Sequence, residues 1–425
     1  MKKILVISRD CFSQTNANGK TLESLLNSFK KDELMQFYTG VNNPDFEFCD
    51  SYFRVTDMQM MKSFFKKPVV TVKERTYSEC LNAKNSHEFE SKIWSSLRKI
   101  NYNFAIRFLR EILWKVSPNW RKRFYRWLEM EKPKAILYMV GDSFFLDYLV
   151  IEVAKRFKIP IILFNVEAYR IIDCKERSGF DRLYNYKSER SYDKLQKLSA
   201  LTIYNCNIIK NSFQSFYSVQ NENALIAYNA HLFDVENYIP IKGRCNIVYF
   251  GNLGVGRVSS IIEIADTIKN ISPNKKIDVF GKASDVDKQR LLFHPNINYH
   301  GLVGQDVLYK VKKDADILLQ VESFVPEITK KLKYAFSTKI AQCLCAGRAL
   351  LSYAPIETAS TVYLKAENAA VITYNKSTLR EELIKLIKHA EYRTEYANKA
   401  LATAKRNHNS VEIGKVVKQR IEQIL

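Results

Sequence analysis

Short apolar runs alternate with amphipathic stretches along the first half of the chain. The runs are "KKILVIS", "ELMQFYTG", "KAILYMVG" and "IPIILFNVE", and polar or small residues follow the strand-like core of each. Between the last two, "SFFLDYLVIEVAKRFK" has the apolar spacing of a helix. Alternating strands and helices predict a parallel sheet whose faces are both covered. Residues 41–100 are polar and irregular, and their pattern predicts no element.

The same alternation starts again near residue 245. Six strands are predicted: "CNIVYFG", "KIDVFG", "INYHG", "ADILLQV", "RALLSYA" and "ENAAVIT". Helical segments separate the first five, and a lysine-rich helical remainder follows the last. The sequence therefore predicts an α/β protein with two Rossmann-like domains facing a cleft, where a ligand is expected. We place the domains at 1–239 and 240–408, followed by a final helix at 409–425.

Composition narrows the functional classes. The chain has 425 residues, 46% of them hydrophobic, which is enough for two globular cores. Its net charge of +21 favours an anionic partner, such as a phosphorylated small molecule, a lipid headgroup or nucleic acid. The eight cysteines show neither zinc spacing nor a disulfide framework, which is typical of a reducing compartment.

The stretch "CNIVYFGNLGVGR", residues 245–257, places three of the 13 glycines and an arginine directly after a predicted strand. Glycines let the backbone approach a ligand closely, and the amide groups at the start of the next helix attract anions. Arg257 adds a fixed charge that can make several hydrogen bonds. The spacing GxxGxG differs from the dinucleotide fingerprint GxGxxG. A tight turn with a surface arginine is the alternative interpretation.

Later strands of the second half also end in small or polar residues, at Gly281, Gly301 and Glu322. Ser337 and Thr338 are expected to cap a helix that carries a lysine, Lys339, in its first turn. A lysine there opposes the helix dipole unless an anion lies between them. These strand ends therefore predict an anion site, and a solvent-exposed lysine is the alternative.

The second half resembles the C-terminal, donor-binding domain of GT-B glycosyltransferases, in particular the "group 1" family of bacterial polysaccharide and cell-envelope enzymes. Five segments are collinear with the family pattern over about 245–375: "YFGNLGVGR", "DVFGKASD", "INYHGLVG", "DADILLQVES" and "FSTKIAQCLCAGRALLSYAP". The first half is similar in general order only, with a glycine at its first strand-to-helix turn. The resemblance implies a GT-B fold with an acceptor-binding first domain, a nucleotide-sugar-binding second domain and a last helix that crosses back to the first domain.

The resemblance also implies a set of donor-binding residues, in which the glycine turn and its arginine hold the diphosphate. They are Gly19, Gly251, Asn252, Gly254, Arg257, Gly281, His300, Glu322, Ser337, Thr338, Lys339 and Gln342. Two positions depart from the family: Asn252 replaces a frequent basic residue, and Gln342 replaces the glutamate that commonly binds the donor ribose. The upstream glutamate of the retaining signature falls on Tyr334. These departures leave open whether the configuration is retained and whether the protein is catalytically weak or inactive.

A leaving nucleoside diphosphate needs positive charge, which backbone amides and the two cations of the donor site can supply without a metal. We expect no metal site and no cofactor besides the nucleotide-sugar substrate. The acidic triplets at 314–316 and 285–287 are explained as helix ends. Inverting transfer needs a base for the acceptor hydroxyl, and Asp142 and Glu167 at strand ends of the first half are the candidates. Loop capping is the alternative role for both carboxylates.

Residues 103–127 interleave aromatic residues with arginines. This pattern fits an anionic membrane surface or single-stranded nucleic acid, and a helical pair packed on the first domain is the structural alternative. The segment carries no nucleic-acid-binding motif, and the resemblance favours a lipid-linked acceptor. No run approaches the roughly 20 apolar residues that cross a bilayer, and "MKKILVISRD" is too short for a signal peptide. We therefore expect a cytoplasmic protein, peripheral on the inner face of the membrane, that does not bind nucleic acid.

The resulting hypothesis is a metal-independent glycosyltransferase that moves a sugar from a nucleotide donor to a glycan acceptor, a lipid-linked cell-surface polysaccharide. One alternative is an enzyme like the sugar-nucleotide epimerases of this fold, which would turn over without an acceptor. Another is a non-catalytic basic protein that binds membranes or nucleic acid and no nucleotide sugar. The sequence does not determine the donor sugar, its base, the acceptor or the linkage.

Overall fold

The chain divides into two compact units. The computed structural model describes residues 2–13, 16–65, 71–73, 104–117, 119–168, 170–171, 179–217, 223–231 and 237–425. The first unit comprises Met1–Ala227 together with Val411–Leu425, and the second comprises Tyr228–Ser410. The boundary thus lies between Ala227 and Tyr228, whereas the sequence placed it at Ile239-Pro240.

In its described part, the first unit is built on an eight-stranded sheet with the order β4-β3-β2-β1-β5-β6-β7-β8. Neighbouring strands run parallel, except that β4 runs antiparallel to β3 at the edge. The strands are β1 (Ile4–Ser8), β2 (Leu34–Tyr38), β3 (Ser51–Arg54), β4 (Thr71–Lys73), β5 (Ala135–Met139), β6 (Ile161–Asn165), β7 (Ser199–Tyr204) and β8 (Ala224–Ile226). The continuous apolar runs form the central strands because both faces of these strands are buried.

Helices cover this sheet, and several follow the predicted alternation. They are α1 (Ala17–Leu26), α2 (Asp57–Phe65), α3 (Phe104–Val116), α4 (Asn119–Glu131), α5 (Phe144–Phe157), α6 (Gly179–Lys197) and α7 (Asn207–Tyr217). Strand β3 and helix α2 lie in the region for which the sequence pattern predicted no element.

The aromatic residues of α4 pack into the core of the first unit. Trp120, Phe124 and Trp127 are at most 1% exposed. The ring of Trp120 lies 5.8 Å from that of Phe37 on β2, and Trp127 lies 5.4 Å from Phe53 on β3. These aromatic side chains are therefore unavailable to a membrane or a nucleic acid, and this part of the prediction for residues 103–127 is wrong. The reason is that β2 and β3 present rings to α4, which the sequence pattern did not show.

The second unit has a parallel sheet, with six strands among its described residues in the order β11-β10-β9-β12-β13-β14. They are β9 (Ile247–Phe250), β10 (Ile277–Phe280), β11 (Ile297–Gly301), β12 (Ile317–Val321), β13 (Ala349–Tyr353) and β14 (Val371–Thr373). The helices are α8 (Arg257–Ile271), α9 (Asp285–Leu292), α10 (Gln305–Asp314), α11 (Pro326–Leu332), α12 (Lys339–Cys345), α13 (Ala359–Ala366), α14 (Lys376–Lys388) and α15 (Ala390–Asn407). Since all strands run parallel, their carboxyl ends share one edge, where ligands of such sheets bind.

The last helix, α16 (Ser410–Glu422), packs on the first unit. Val417 and Ile421 are fully buried in the core around β1 and α1, and Lys418 bonds Glu33 at 2.7 Å. A Cβ atom on Gly414 would lie 1.8 Å from Asn27 Oδ1, so a larger residue there would require the Asn27 side chain to move. None of the helices in the described ranges has the length and apolar character needed to cross a bilayer.

Candidate anion-binding site

The glycine turn connects β9 to the first turn of α8. Gly251 and Gly256 have φ angles of 127° and 72°, which glycine adopts without strain. A Cβ atom on Gly281 would lie 2.0 Å from the carbonyl oxygen of Gly251, so the turn can approach the end of β10 only because both residues lack side chains. Helix α8 has neither a side-chain cap nor an acidic residue in its first turn. Its first amide groups and its dipole therefore favour an anion at the turn.

Side chains of the turn itself fix its shape. Asn252 Oδ1 accepts a hydrogen bond from the amide of Gly254 at 2.8 Å, and the Asn252 carbonyl accepts one from the Tyr249 hydroxyl at 2.7 Å. Asn252 therefore stabilises the turn.

Arg257 is held by a buried carboxylate on the neighbouring strand. Its Nε and Nη2 each lie 2.8 Å from Glu322 Oε2, just after β12, and the Glu322 residue is 3% exposed. Gln320 donates to Glu322 Oε1 at 3.2 Å and is itself bonded by Ser352. Burial raises the pKa of Glu322 although Arg257 and Lys339 oppose this shift. The pair orients the guanidinium beside the turn, with Nη1 3.5 Å from the Asn252 carbonyl.

Lys339 reaches the same turn from α12. Its Nζ lies 4.0 Å from the centroid of the Tyr249 ring and 4.0 Å from the position of a Cβ atom on Gly251. The residue as a whole is half-buried, but its ammonium group is surrounded by protein atoms. Burial lowers the pKa of Lys339 to about 8, and repulsion from Arg257 acts in the same direction. Because this pKa is close to neutral pH, an anion in the turn would stabilise the charged form of Lys339.

The structure thus brings together seven of the predicted residues: Gly251, Asn252, Gly254, Arg257, Gly281, Glu322 and Lys339. Two cations and one buried carboxylate leave a net positive charge beside the first turn of α8. This arrangement can bind a multivalent anion such as a diphosphate through backbone amides and two side chains.

Three further predicted residues lie at the start of α12. Thr338 occupies the N-cap position, but it has helical backbone angles and makes no side-chain cap hydrogen bond, so the predicted capping role is wrong. The amide of Ser337 donates a hydrogen bond to Ser360 Oγ at 3.1 Å, which holds this segment against α13. Gln342 is half-buried on the same helix.

His300 lies at the end of β11, on an exposed surface. Its ring stacks on Phe280 at 4.4 Å, and Nε2 lies 2.8 Å from Asp278 Oδ1. These contacts give the histidine a structural environment two strands from β9, at the same edge of the sheet.

The remaining candidates lie in the first unit. Gly19 is the third residue of α1 and not part of the turn before it; a Cβ atom there would lie 2.7 Å from backbone atoms of Cys11 and Ser13. Asp142 follows β5 and forms an ion pair with Arg107 at 2.9 Å. Burial acts to raise the pKa of Asp142, but Arg107, with other arginines, outweighs it and lowers this pKa. Glu167 is half-buried, two residues after β6.

The acidic triplets have structural roles. Asp316 accepts hydrogen bonds from the Tyr238 hydroxyl and the Asn246 amide at 2.8 and 2.7 Å, and Asp287 lies in the first turn of α9, bonded to Ser284. The described residues contain no cluster of His, Cys, Asp or Glu side chains suited to a metal ion.

Sequence reasoning missed three contacts of the site: the ring of Tyr249 under Lys339, the support of Glu322 by Gln320, and the contact of the turn with Ser323. A Cβ atom on Gly256 would lie 2.6 Å from Ser323 Oγ. This last contact joins the turn after β9 to the end of the adjacent strand β12, so it depends on a strand order that the sequence does not reveal.

Solved structures with the same fold provide an independent comparison, whereas no protein-family model and no curated protein matches the chain. HepE from Anabaena, in complex with UDP, is similar over 99% of this chain and 100% of its own, with 12% identity and a TM-score of 0.63. The apo form of the lipopolysaccharide outer core galactosyltransferase WaaB matches over 100% of both chains, with 11% identity and a TM-score of 0.59. The α,α-trehalose 6-phosphate synthase of Burkholderia multivorans matches over 99% of this chain and 97% of its own, with 10% identity and a TM-score of 0.57. The chain therefore has the two-domain GT-B fold, as the sequence predicted.

Proposed function

We propose that this protein is a glycosyltransferase that transfers a sugar from a nucleotide donor to a glycan acceptor. The observation that carries the proposal is the convergence of Arg257, Lys339 and the uncapped start of α8 on one glycine turn. In a GT-B fold this turn lies where an α/β sheet binds phosphates. HepE, whose structure contains UDP, makes UDP the first nucleotide to test.

The proposed chemistry depends on stabilising the leaving diphosphate. As the bond to the sugar breaks, negative charge develops on the diphosphate oxygen. Arg257 is already oriented by Glu322, so it stabilises this charge without first paying the cost of ordering its side chain. Lys339, whose pKa burial lowers to about 8, is kept in its charged form as the anion forms beside it.

Of the two candidate bases for the acceptor hydroxyl, Asp142 is the weaker. A general base works best with a pKa near the working pH, whereas arginines lower the pKa of Asp142. We therefore assign the role of base, in an inverting reaction, to Glu167.

The decisive experiment is a thermal-shift panel of nucleoside diphosphates and nucleotide sugars. A nucleotide that binds the native state at 100 times its Kd stabilises it by about 2.7 kcal/mol. We expect UDP or another nucleotide to raise the unfolding temperature of the wild type, and Arg257→Ala to lose most of this rise. No shift with any nucleotide would contradict the proposal.

A second variant separates binding from folding. Arg257→Ala alone leaves Glu322 buried without its partner, and breaking such a pair costs about 3–5 kcal/mol. The double variant Arg257→Ala/Glu322→Gln removes both charges and should recover most of the stability. It should still fail to bind the nucleotide, because the guanidinium is absent.

We further propose that the acceptor is lipid-linked and is met at a membrane surface by α3 and α4. With their large aromatic residues buried, these helices expose an apolar stripe on α3, Leu109, Ile112 and Val116, which are 54%, 42% and 55% exposed. Exposed basic residues of both helices accompany it: Lys115, Lys122, Arg123 and Arg126. Apolar insertion combined with attraction to anionic lipids is how interfacial helices bind.

Vesicle flotation tests this surface. We expect the protein to float with vesicles containing phosphatidylglycerol and to remain behind with neutral phosphatidylcholine. Glutamine at 109, 112 and 116 together should abolish flotation, whereas Leu302→Gln, an 80% exposed residue of the second unit, should not. Equal flotation of both variants would overturn this assignment.

A further inference from the structure

A pocket of about 560 Å³ lies at the carboxyl edge of the second sheet, beside the glycine turn. Phe324 after β12, Ile356 after β13 and Tyr374 after β14 contribute to its walls, and α11 closes one side. A Cβ atom on Gly256 of the turn would lie 2.6 Å from Oγ of Ser323, the residue before Phe324. The turn therefore lies next to a residue that is adjacent in sequence to the pocket lining.

The apolar lining of this pocket is unusually exposed. Phe324, Ile356 and Tyr374 are 38%, 41% and 47% exposed. Large apolar side chains that line a concave site mark a ligand surface more often than isolated exposed residues do. A pyranose ring has a face of C–H groups that packs on the negative face of an aromatic ring, so rings of this kind suit a saccharide.

The pocket is also lined by charged residues. Lys330 and Lys333 lie one turn apart, on and just after α11, and both line the pocket, as does Glu357. Neither lysine forms an ion pair among the described residues of the second unit, and the Nζ of Lys333 lies 5.6 Å from the ring of Tyr334. Two cations against one carboxylate favour an anionic group on whatever packs against the rings.

We propose that this pocket binds a sugar unit that bears a carboxylate or a phosphate, with the sugar ring on Phe324 or Tyr374 and its anionic group at Lys330 and Lys333. The inference rests on the proposed function and specifies its substrate class as an acidic saccharide. The acidic unit can belong to the acceptor glycan or to the nucleotide sugar, and separate arms of the experiment distinguish these sources.

Calorimetric titration of the full chain tests the pocket. The acceptor arm compares a hyaluronan tetrasaccharide, which carries glucuronate, with neutral cellotetraose, in the presence of UDP. The donor arm compares UDP-glucuronic acid with UDP-glucose. In at least one arm we expect the acidic probe to bind more tightly than its neutral counterpart, with a preference that weakens as salt is added.

Variants test whether the preference for the acidic probe arises in the pocket. Lys330→Gln/Lys333→Gln should reduce the affinity for the acidic probe by about 2- to 30-fold, because two exposed ion pairs are lost and each contributes about 0.2–1 kcal/mol. Lys331→Gln is the matched control, since this exposed lysine lies on the same helix but does not line the pocket. Tyr374→Leu should weaken binding of the acidic probe as well, because it removes a ring and no charge.

The outcomes are separable from the proposed function. If UDP binds but neither arm shows an acidic preference, the pocket proposal fails and the transferase proposal stands. An equal loss in Lys331→Gln would show that general surface charge causes the preference, which also overturns the pocket. If no nucleotide binds at all, it is the transferase proposal that fails, and the acceptor arm without UDP then decides whether the pocket binds the acidic tetrasaccharide. Unchanged unfolding temperatures of the variants exclude misfolding as the cause.

Discussion

Lys339 carries a charge whose free energy depends on the occupant of the glycine turn. Tyr249 lies under its ammonium, and Arg257 is close enough to repel it. Glu322 neutralises only part of this positive charge, because its carboxylate already accepts a hydrogen bond from Arg257 Nε and forms an ion pair with Nη2. The positive charges of the site therefore repel one another when no anion is bound, and a bound anion reduces this repulsion.

Nucleotide affinity should consequently depend on pH through Lys339. In the free protein Lys339 loses its proton near pH 8, whereas an anion bound in the turn keeps Lys339 protonated. Binding above pH 8 therefore takes up a proton, and the affinity for the nucleotide falls as the pH rises. At high pH the fall approaches about tenfold per pH unit. Titration of the wild type with UDP from pH 7 to 9.5 measures it.

Two variants control that measurement. Lys339→Met should bind UDP weakly with no dependence on pH in this range, and Lys339→Arg should bind with little dependence because arginine stays charged. A pH-dependent fall that persists in Lys339→Met would assign the proton to another group.

At the scale of elements, the site depends on how closely three strand ends approach one another. The amide of Gly251 donates to the carbonyl of Phe280 at 2.9 Å, and that of Gly281 donates to the carbonyl of Gly301 at 2.7 Å. The ends of β9, β10 and β11 are thus joined by backbone hydrogen bonds, and glycine at each end leaves no side chain between them. The start of α8 takes its position from this arrangement.

Gly281→Ala should displace the turn. Its Cβ atom would overlap the Gly251 carbonyl, and relieving such overlap costs about 1–3 kcal/mol. We expect a lower free energy of unfolding and a loss of nucleotide-induced stabilisation. Gly304→Ala is the matched control, because nothing lies within 4 Å of its Cβ position; similar effects of both variants would contradict the packing argument.

At the scale of the whole molecule, the first unit consists of two segments that are distant in the sequence, and α16 belongs to the second of them. The buried face of α16 covers apolar residues of α1, which would be exposed to solvent in a chain without this helix. The free energy of the first unit therefore depends on residues that follow the entire second unit in sequence.

Ile421→Ala should destabilise the first unit by about 2–5 kcal/mol, the usual cost of such a cavity. Hydrogen exchange should accelerate in β1 and α1, while strands β9 and β12 stay protected. Val416→Ala, on the same helix but 45% exposed, should leave exchange unchanged. Uniform acceleration in both units would argue against separate folding units.

The sequence was most informative where a pattern is local. Buried parallel strands appear as continuous apolar runs, so β5, β6 and β9 could be predicted, and the scarcity of glycine exposed the turn at 251–256. The pair of Arg257 and Glu322 could not be predicted because it joins residues 65 positions apart across adjacent strands β9 and β12. The burial of Trp120 and Trp127 was missed for the same reason: their partners Phe37 and Phe53 lie on strands whose order the sequence does not reveal.

The return of α16 also sets an order of events during protein synthesis. The second unit is complete once residue 410 has left the ribosome, whereas the first unit still lacks 411–425. At about 5–20 residues per second, the 183 residues from 228 to 410 delay the first unit by roughly 10–40 s. Throughout that interval the surface that later receives Val417 and Ile421 is open to solvent, so a nascent chain should bind chaperones through its earliest-made part.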